Sequence, residues 1–215
     1  MTARNASVTV NPFDGGDVGS VAVTDPASGN KAAVLIQGGQ LFSSDGGQRG
    51  TWGAANSFNL AATPTDVLVI QGSATHTVRI RSIKLSGYSS TAGQLVFFAI
   101  RRSAANTGGT PSPRTPLLFD NGDVTNWAPT ATVNTYTANP ASLGTSVGTV
   151  AIRRLGFNLL TTAPDRTTID FPEMSAKSLV LRGVSDFLCL NAAGAALPGA
   201  TTVLDVSITA DEDLS

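Results

Sequence analysis

The strongest constraint on this chain is a periodicity that it lacks. Apolar residues almost nowhere recur at the three- and four-residue spacing that paints one stripe along a helix. Short runs rich in Val, Ile, Thr and Phe appear instead, broken about every ten residues by Gly, Pro, Asn and Asp, and that rhythm reads as an all-β sandwich or barrel. The 215 residues give room for one large β domain, or one domain plus an arm. Nine strands are predicted: Val67 to Gln71, Thr77 to Leu85, Gln94 to Arg102, Ala131 to Thr137, Gly148 to Phe157, Thr167 to Phe171, Ser178 to Gly183, Phe187 to Asn191 and Thr202 to Thr209.

Two of these strands can be read residue by residue. In "HTVRIRSIKLS", Val78 and Ile80 share one face, but Ile83 and Leu85 have the opposite parity. A strand of period two cannot bury all four, so an extra residue near Ser82, a β-bulge, is expected to restore the phase. In "TVLDVSIT", Leu204, Val206 and Ile208 point inward while Asp205 and Ser207 point out.

The run "QLVFFAI" does not alternate at all. The outer face of a sandwich strand should be polar. Either another segment covers this strand or a second subunit does. The subunit reading makes Phe97 and Phe98 interface candidates, and adds Arg101, Arg102, Arg153 and Arg154 from the recurring Ala-Ile-Arg-Arg, since Arg is enriched at interfaces. The plainer reading of these arginines is pairing with Asp170, Asp186 or Asp205. The long loop that follows, Asn106 to Pro116, could reach across to a neighbour, with Pro111, Pro113 and Pro116 limiting the entropy lost on ordering.

Residues 1–60 are Gly-rich, with only short apolar runs at Val21 to Val23 and Ala32 to Ile36. They read as an arm or small hairpin with "PASGN" as its turn, and "AATPTD" marks the expected boundary before a sandwich of residues 61–215.

Composition narrows the function. Charged residues make up only 13% and the net charge is -1, so no general field would hold nucleic acid or an anionic membrane. No run approaches the ~18 apolar residues of a membrane helix, and no secretory leader is read, so synthesis in the cytoplasm is expected. The lone Cys189 lies in "DFLCLN" and reads as a buried, inert thiol. With one His and one Cys the usual zinc sites are excluded, and neither a nucleophile elbow nor a phosphate loop occurs. Asp14 with Asp17, and Asp120 with Asp123, read as turns before they read as calcium ligands or a carboxylate pair. No catalytic residue, cofactor or metal is expected. Trp52 and Trp127, in what read as polar loops, are the candidate ligand contacts, since exposed Trp can stack on sugars.

The stretches "PTDVLVIQGSATHTVRIRSIKLSG", "TAGQLVFFAIRRSAANTGGTPSP", "ATVNTYTANPASLGTSVGTV" and "SLVLRGVSDFLCLN" resemble a β-sandwich module of tailed-bacteriophage virion proteins, over about Pro64 to Thr209. The most telling pieces are Ser103 to Thr110, "SAANTGGT", and Tyr136 to Pro140, "YTANP". The resemblance implies an antiparallel, jelly-roll-like sandwich behind a variable N-terminal arm that serves as attachment. It implies a structural virion protein, made in the bacterial host, that decorates the capsid or forms a short fibre. The partners implied are other virion proteins and further copies of itself, with a trimer the first expectation. The alternative is a carbohydrate-binding tip module, whose partner would be a host-surface glycan.

Overall fold

In the computed structural model the described residues are 8–11, 18–24, 31–37, 40–43, 50–119, 128–159, 165–171 and 178–214. The chain divides into two compact units, Met1–Gln48 and Arg49–Ser215. The first contains β1 (Val8–Asn11), β2 (Val18–Thr24), β3 (Lys31–Gln37) and β4 (Gln40–Ser43), an antiparallel meander in that order. It is a four-stranded sheet where an arm or a hairpin was expected. β2 and β3 do pair across "PASGN", with Thr24 opposite Lys31, although the turn itself lies outside the described residues.

The second unit holds β5 (Gly50–Asn59), β6 (Asp66–Gln71), β7 (His76–Ser89), β8 (Gly93–Arg102), β9 (Thr110–Arg114), β10 (Leu117–Leu118), β11 (Thr132–Ala138), β12 (Ser146–Phe157), β13 (Arg166–Asp170), β14 (Leu179–Arg182), β15 (Phe187–Asn191) and β16 (Thr202–Leu214). They form two antiparallel sheets. One runs β10-β5-β16-β7-β13, with β14 also on β7; the other runs β12-β8-β15-β6-β11-β9. The inward rows of both sheets meet in one core that includes Trp52, Leu68, Ile80, Ile83, Phe97, Leu155, Phe157 and Leu204. The chain is an all-β sandwich, as the sequence predicts.

The bulge falls where phase demands it. Along the β7–β16 ladder Thr209 faces Ser82 but Ala210 faces Ile80, so Arg81 is the extra residue. Val78, Ile80, Ile83 and Leu85 are all buried as a result. Leu204, Val206 and Ile208 also point inward as expected. β16 then continues past the predicted end at Thr209, through Asp211 and Glu212, which are buried despite their charge.

The expected boundary after residue 60 is corrected. Gly50–Asn59 is a strand paired along its whole length with β16, and it buries Trp52, Ala54 and Phe58. Its small, weakly strand-forming residues (Gly53, Ala54, Ala55, Ser57) hide an alternation that packing enforces. The loop Asn106 to Pro116 is corrected as well. Thr110–Arg114 is not loop but β9, paired with β11 of its own sheet.

Deleting residues 1–48 is expected to leave a folded sandwich with an unchanged β signal in circular dichroism. Deleting residues 1–60 should strip one flank of β16 and remove Trp52, and the product should aggregate or lose its cooperative thermal transition.

Candidate functional site: a buried polar clamp and the sheet face beside it

β8 shows why its run is apolar on both sides. Leu95, Phe97 and Ala99 face the core, while Val96, Phe98 and Ile100 face outward and are half-buried. On that outer face a second buried cluster joins Val69, Tyr136, Phe187 and Cys189. Of the two explanations for the run, a covering segment is the one realised at this end of the strand.

The cover is held by an ionic clamp. Asp66, without exposed surface, opens β6, and Arg102, nearly as buried, closes β8. Arg102 donates from Nε to Asp66 Oδ2 at 2.8 Å and from Nη2 to Oδ1 at 2.9 Å, a two-pronged pairing of fork and carboxylate. Asn106 Nδ2 donates to Oδ2 at 2.9 Å and Asn191 Nδ2 to Oδ1 at 2.5 Å. Asp66 therefore accepts four hydrogen bonds, about the capacity of a carboxylate. The third arm of Arg102, Nη1, donates to Gly144 O at 2.7 Å, and Gly144 N donates back to Asn106 Oδ1 at 2.9 Å.

These bonds bring together two loops, residues 103–109 and 139–145. Their backbones zip to each other through Ser103 N to Thr145 O, Thr107 N to Ser142 O and Ala141 N to Thr107 O. Asn139 ties the second loop to the segment before β6, accepting from Thr65 N at 3.0 Å and donating to Thr63 O at 2.7 Å. Glycine is needed at two points. Gly109 has φ 79° and a Cβ there would lie 2.6 Å from Asn139 O; a Cβ on Gly144 would drive into Ala104 O. "SAANTGGT" and "YTANP" thus meet in space: Asn106 is spent on Asp66 and Gly144, Asn139 on the segment before β6, and the backbones of Ser103 and Thr107 on the facing loop.

The clamp sets the chemistry of its neighbours. Burial opposes the charge of Arg102, but its bonds to Asp66 outweigh burial and hold its pKa above the usual value. Burial, and then the charge of Asp66, push the Cys189 thiol far up, with Arg102 opposing them more weakly. Cys189 stands as a buried neutral thiol, in keeping with the sequence reading.

The interface candidates separate. Phe97 is corrected to the core, with no exposed surface, and Arg102 belongs to the clamp. Arg101 Nη2 pairs with Asp186 Oδ2 at 2.5 Å, one of the plain pairings considered. Arg153 is opposite Phe97 on β12, and its Nε donates to Thr168 O of β13 at 3.0 Å, bridging the two sheets. Phe98 and Arg154 remain on the outer face. There Ile152, 53% exposed, stands opposite Phe98, and exposed Arg154 stands opposite Val96.

Of the ligand candidates, Trp52 is corrected to the core: it is on β5 with no exposed surface and cannot stack on a sugar. Trp127 lies outside the described residues, as do Asp14, Asp17, Asp120 and Asp123. Among the described residues no group of three or more His, Cys, Asp or Glu is placed to hold a metal ion.

One cluster escaped the sequence reading. His76 Nδ1 is 2.9 Å from both Thr75 Oγ1 and Thr130 Oγ1, and Thr130 Oγ1 is 2.5 Å from Ser73 Oγ. Ser73 Oγ also accepts from the backbone N–H of Thr75 and of His76. Glu212, near the end of β16, accepts from Thr130 N at 2.9 Å and Ala131 N at 2.7 Å. Burial pushes its pKa up, and those two N–H bonds pull less strongly the other way. The arrangement fastens the end of β16 to the start of β11, and so one sheet to the other. Only the charged run "DEDL" signalled it, and a charged run ordinarily reads as solvated.

No family model, curated protein or solved structure matches the chain.

Removing either end of the clamp leaves a buried charge alone. Asp66→Ala and Arg102→Ala are each expected to cost about 3–5 kcal/mol in urea unfolding, and Asn106→Ala about 1–3 kcal/mol. The double variant should cost less than the sum of its singles, because both remove the same pairing. Glu212 supplies a pH test. Its folded pKa is raised, so its stabilising contribution is complete below the ordinary glutamate range and is lost as pH rises through the folded value. Unfolding from pH 4 to 7 should show the wild type losing stability with pH relative to Glu212→Gln, with the difference levelling off once Glu212 is ionised.

Proposed function

We propose that the chain is a structural virion protein of a tailed phage, a capsid decoration or short fibre, anchored by its N-terminal unit and working as a homo-oligomer with a trimer the expected state. The observation that carries this reading is the clamp. The two stretches on which the resemblance rests, "SAANTGGT" and "YTANP", are consumed in fixing loops to a sheet, which is the use a load-resisting shell part makes of polar residues.

The strand order supports the same reading. Leaving out β9, β10 and β11, one sheet runs β5-β16-β7 with β13 and β14 beyond, and the other β6-β15-β8-β12. We read this as a jelly roll with β9, β10 and β11 inserted between β8 and β12, an architecture that viral capsid proteins share with lectins. The glycan-binding alternative loses Trp52 to the core. In the structural reading the strip Phe98, Ile152 and Arg154 touches a neighbouring subunit on the virion.

The direct test images particles from a host expressing the full chain and a host lacking it. Density on capsid or tail that disappears with the gene supports the proposal; protein found only in the lysate supernatant overturns it. Ile152→Asp, at an exposed position, should leave stability within about 0.5 kcal/mol and weaken self-association about tenfold, read by sedimentation over a concentration series.

A further inference from the structure

The outer face of the sheet carries a small polar trough where β13, β7 and β16 run side by side. Residues opposite one another across a ladder share a face. Arg166, Ser86 and Asp205 therefore stand in one row, and Thr168, Lys84 and Ser207 in the next. All six line a groove of 240 Å³. The first row makes the hollow: Ser86 is short and half-buried, and a longer side chain stands on either side of it. Two strand spacings of ~4.8 Å put the backbones of Arg166 and Asp205 roughly 10 Å apart, the width of one sugar-sized ring with a hydrogen bond at each side.

The lining divides by charge. Lys84 and Arg166 are exposed, and among the described residues no salt bridge engages either of them. Arg81, Arg101 and Arg102, by contrast, each meet a carboxylate within the chain. Across the groove Asp205 receives Ser86 Oγ at 3.4 Å, a long bond that leaves its oxygens room for further donors. Asp170 stands a row away, opposite Ser82, and does not line the groove. A ligand here must bring an anionic group for the two cations and hydroxyl donors for Asp205. The charged lining residues sum to one positive charge, which matches a carboxylate better than a dianionic phosphate. No aromatic side chain is among the lining residues, so charge and hydrogen bonds do the selecting, without stacking. The volume lies under the roughly 300–1,000 Å³ of a drug-sized site, and so suits a single ring.

We propose that this groove binds one acidic sugar residue, a hydroxylated ring that bears a carboxylate. Arg166 and Lys84 hold the carboxylate, the planar fork of Arg166 in two-pronged fashion. Asp205 accepts from the ring hydroxyls, and Thr168 and Ser207 add hydroxyls of their own. The proposal goes beyond the structural reading and does not depend on it: a shell or fibre subunit can carry such a groove as well as its joints. One site this open binds weakly, and many copies on one surface multiply its hold on a polysaccharide.

The test follows the backbone amide signals of the isotope-labelled full-length protein by NMR at low salt, during titration with glucuronate, acetate, glucose and inorganic phosphate. Glucuronate is expected to move the amides of Ser86, Thr168 and Ser207 with a Kd of about 1 mM, about tenfold tighter than acetate, which brings the charge without the hydroxyls. Glucose, which brings the hydroxyls without the charge, should leave them unmoved. Lys84→Ala and Arg166→Ala should each weaken glucuronate about tenfold with the thermal transition unchanged. Asp205→Ala should abolish the preference for glucuronate over acetate. The virion reading is untouched by any of these results, since particle imaging tests it separately. Equal binding of acetate and glucuronate overturns the proposal, because the groove is then only a charged patch. Glucose binding as well as glucuronate, phosphate binding more tightly than glucuronate, shifts confined to other strands, or no shift at all would each overturn it too.

Discussion

A carboxylate with no exposed surface has to be met by donors on every side or the fold does not close. Asp66 is that group, and its partners come from separate parts of the chain: Arg102 from the end of β8, Asn106 from the loop after it, Asn191 from the end of β15. These converge only if β6, β15 and β8 lie side by side in that order. A register shift between Leu190 and Asn191 then sets Asn191 beside Asp66. A network this deep is worse than an apolar core when one member is missing. The clamp thus selects strand order and loop position together, beyond what burial of aliphatic side chains would specify.

The open edges of the sandwich are managed in a related way. Unpaired strand edges invite other chains to add on. β9, the edge strand beside β11, carries Pro111 and Pro113 at alternate positions, and an edge strand is where residues without a donor are tolerated. β10 has two residues, and β13 and β14 are short pieces that share β7. β12 is the long edge. There Arg153 Nη1 donates to Ile152 O and Gly156 N donates to Asp165 Oδ2, so part of its backbone is covered by side chains.

Much of this fold was legible in the sequence: all nine predicted strands fall on strands of the second unit, parity revealed the bulge of β7, and alternation gave the inward row of β16. What was missed was missed for physical reasons. β5 packs Trp52, Ala54 and Phe58 inward at period two, but Asn56 interrupts the row, and its side chain is used instead to reach Thr135 Oγ1 across the core. β9 was hidden by its prolines, which argue against a strand everywhere except at an edge. The clamp was illegible because its members are scattered from position 66 to 191, and only the fold makes neighbours of them. A weak hint existed in Asn106-Thr107 followed by two glycines, side chains that bind backbone next to residues that accept positive φ, with no visible use for them.

The arginines show where the charge of this sparingly charged chain goes. Arg101, Arg102 and Arg153 were candidates for contacts between subunits. Within the chain, Arg81 binds Asp211 at 2.6 Å, Arg101 binds Asp186, Arg102 binds Asp66, Arg114 binds Ser112, and Arg153 binds the Thr168 carbonyl. A planar fork that fits one carboxylate or carbonyl in one direction is suited to this, where a flexible ammonium is not. Arg81 is also the bulged residue of β7, and Asp211, which it binds, is buried and held by Thr51 Oγ1 as well. Charge spent inside the molecule projects little field outside it. Across β5 and β16 the outward row holds Thr51, Gly53, Ala55, Ser57, Ser207 and Thr209, with only Asp205 and the Arg81-paired Asp211 charged among them, so that face projects a weak field.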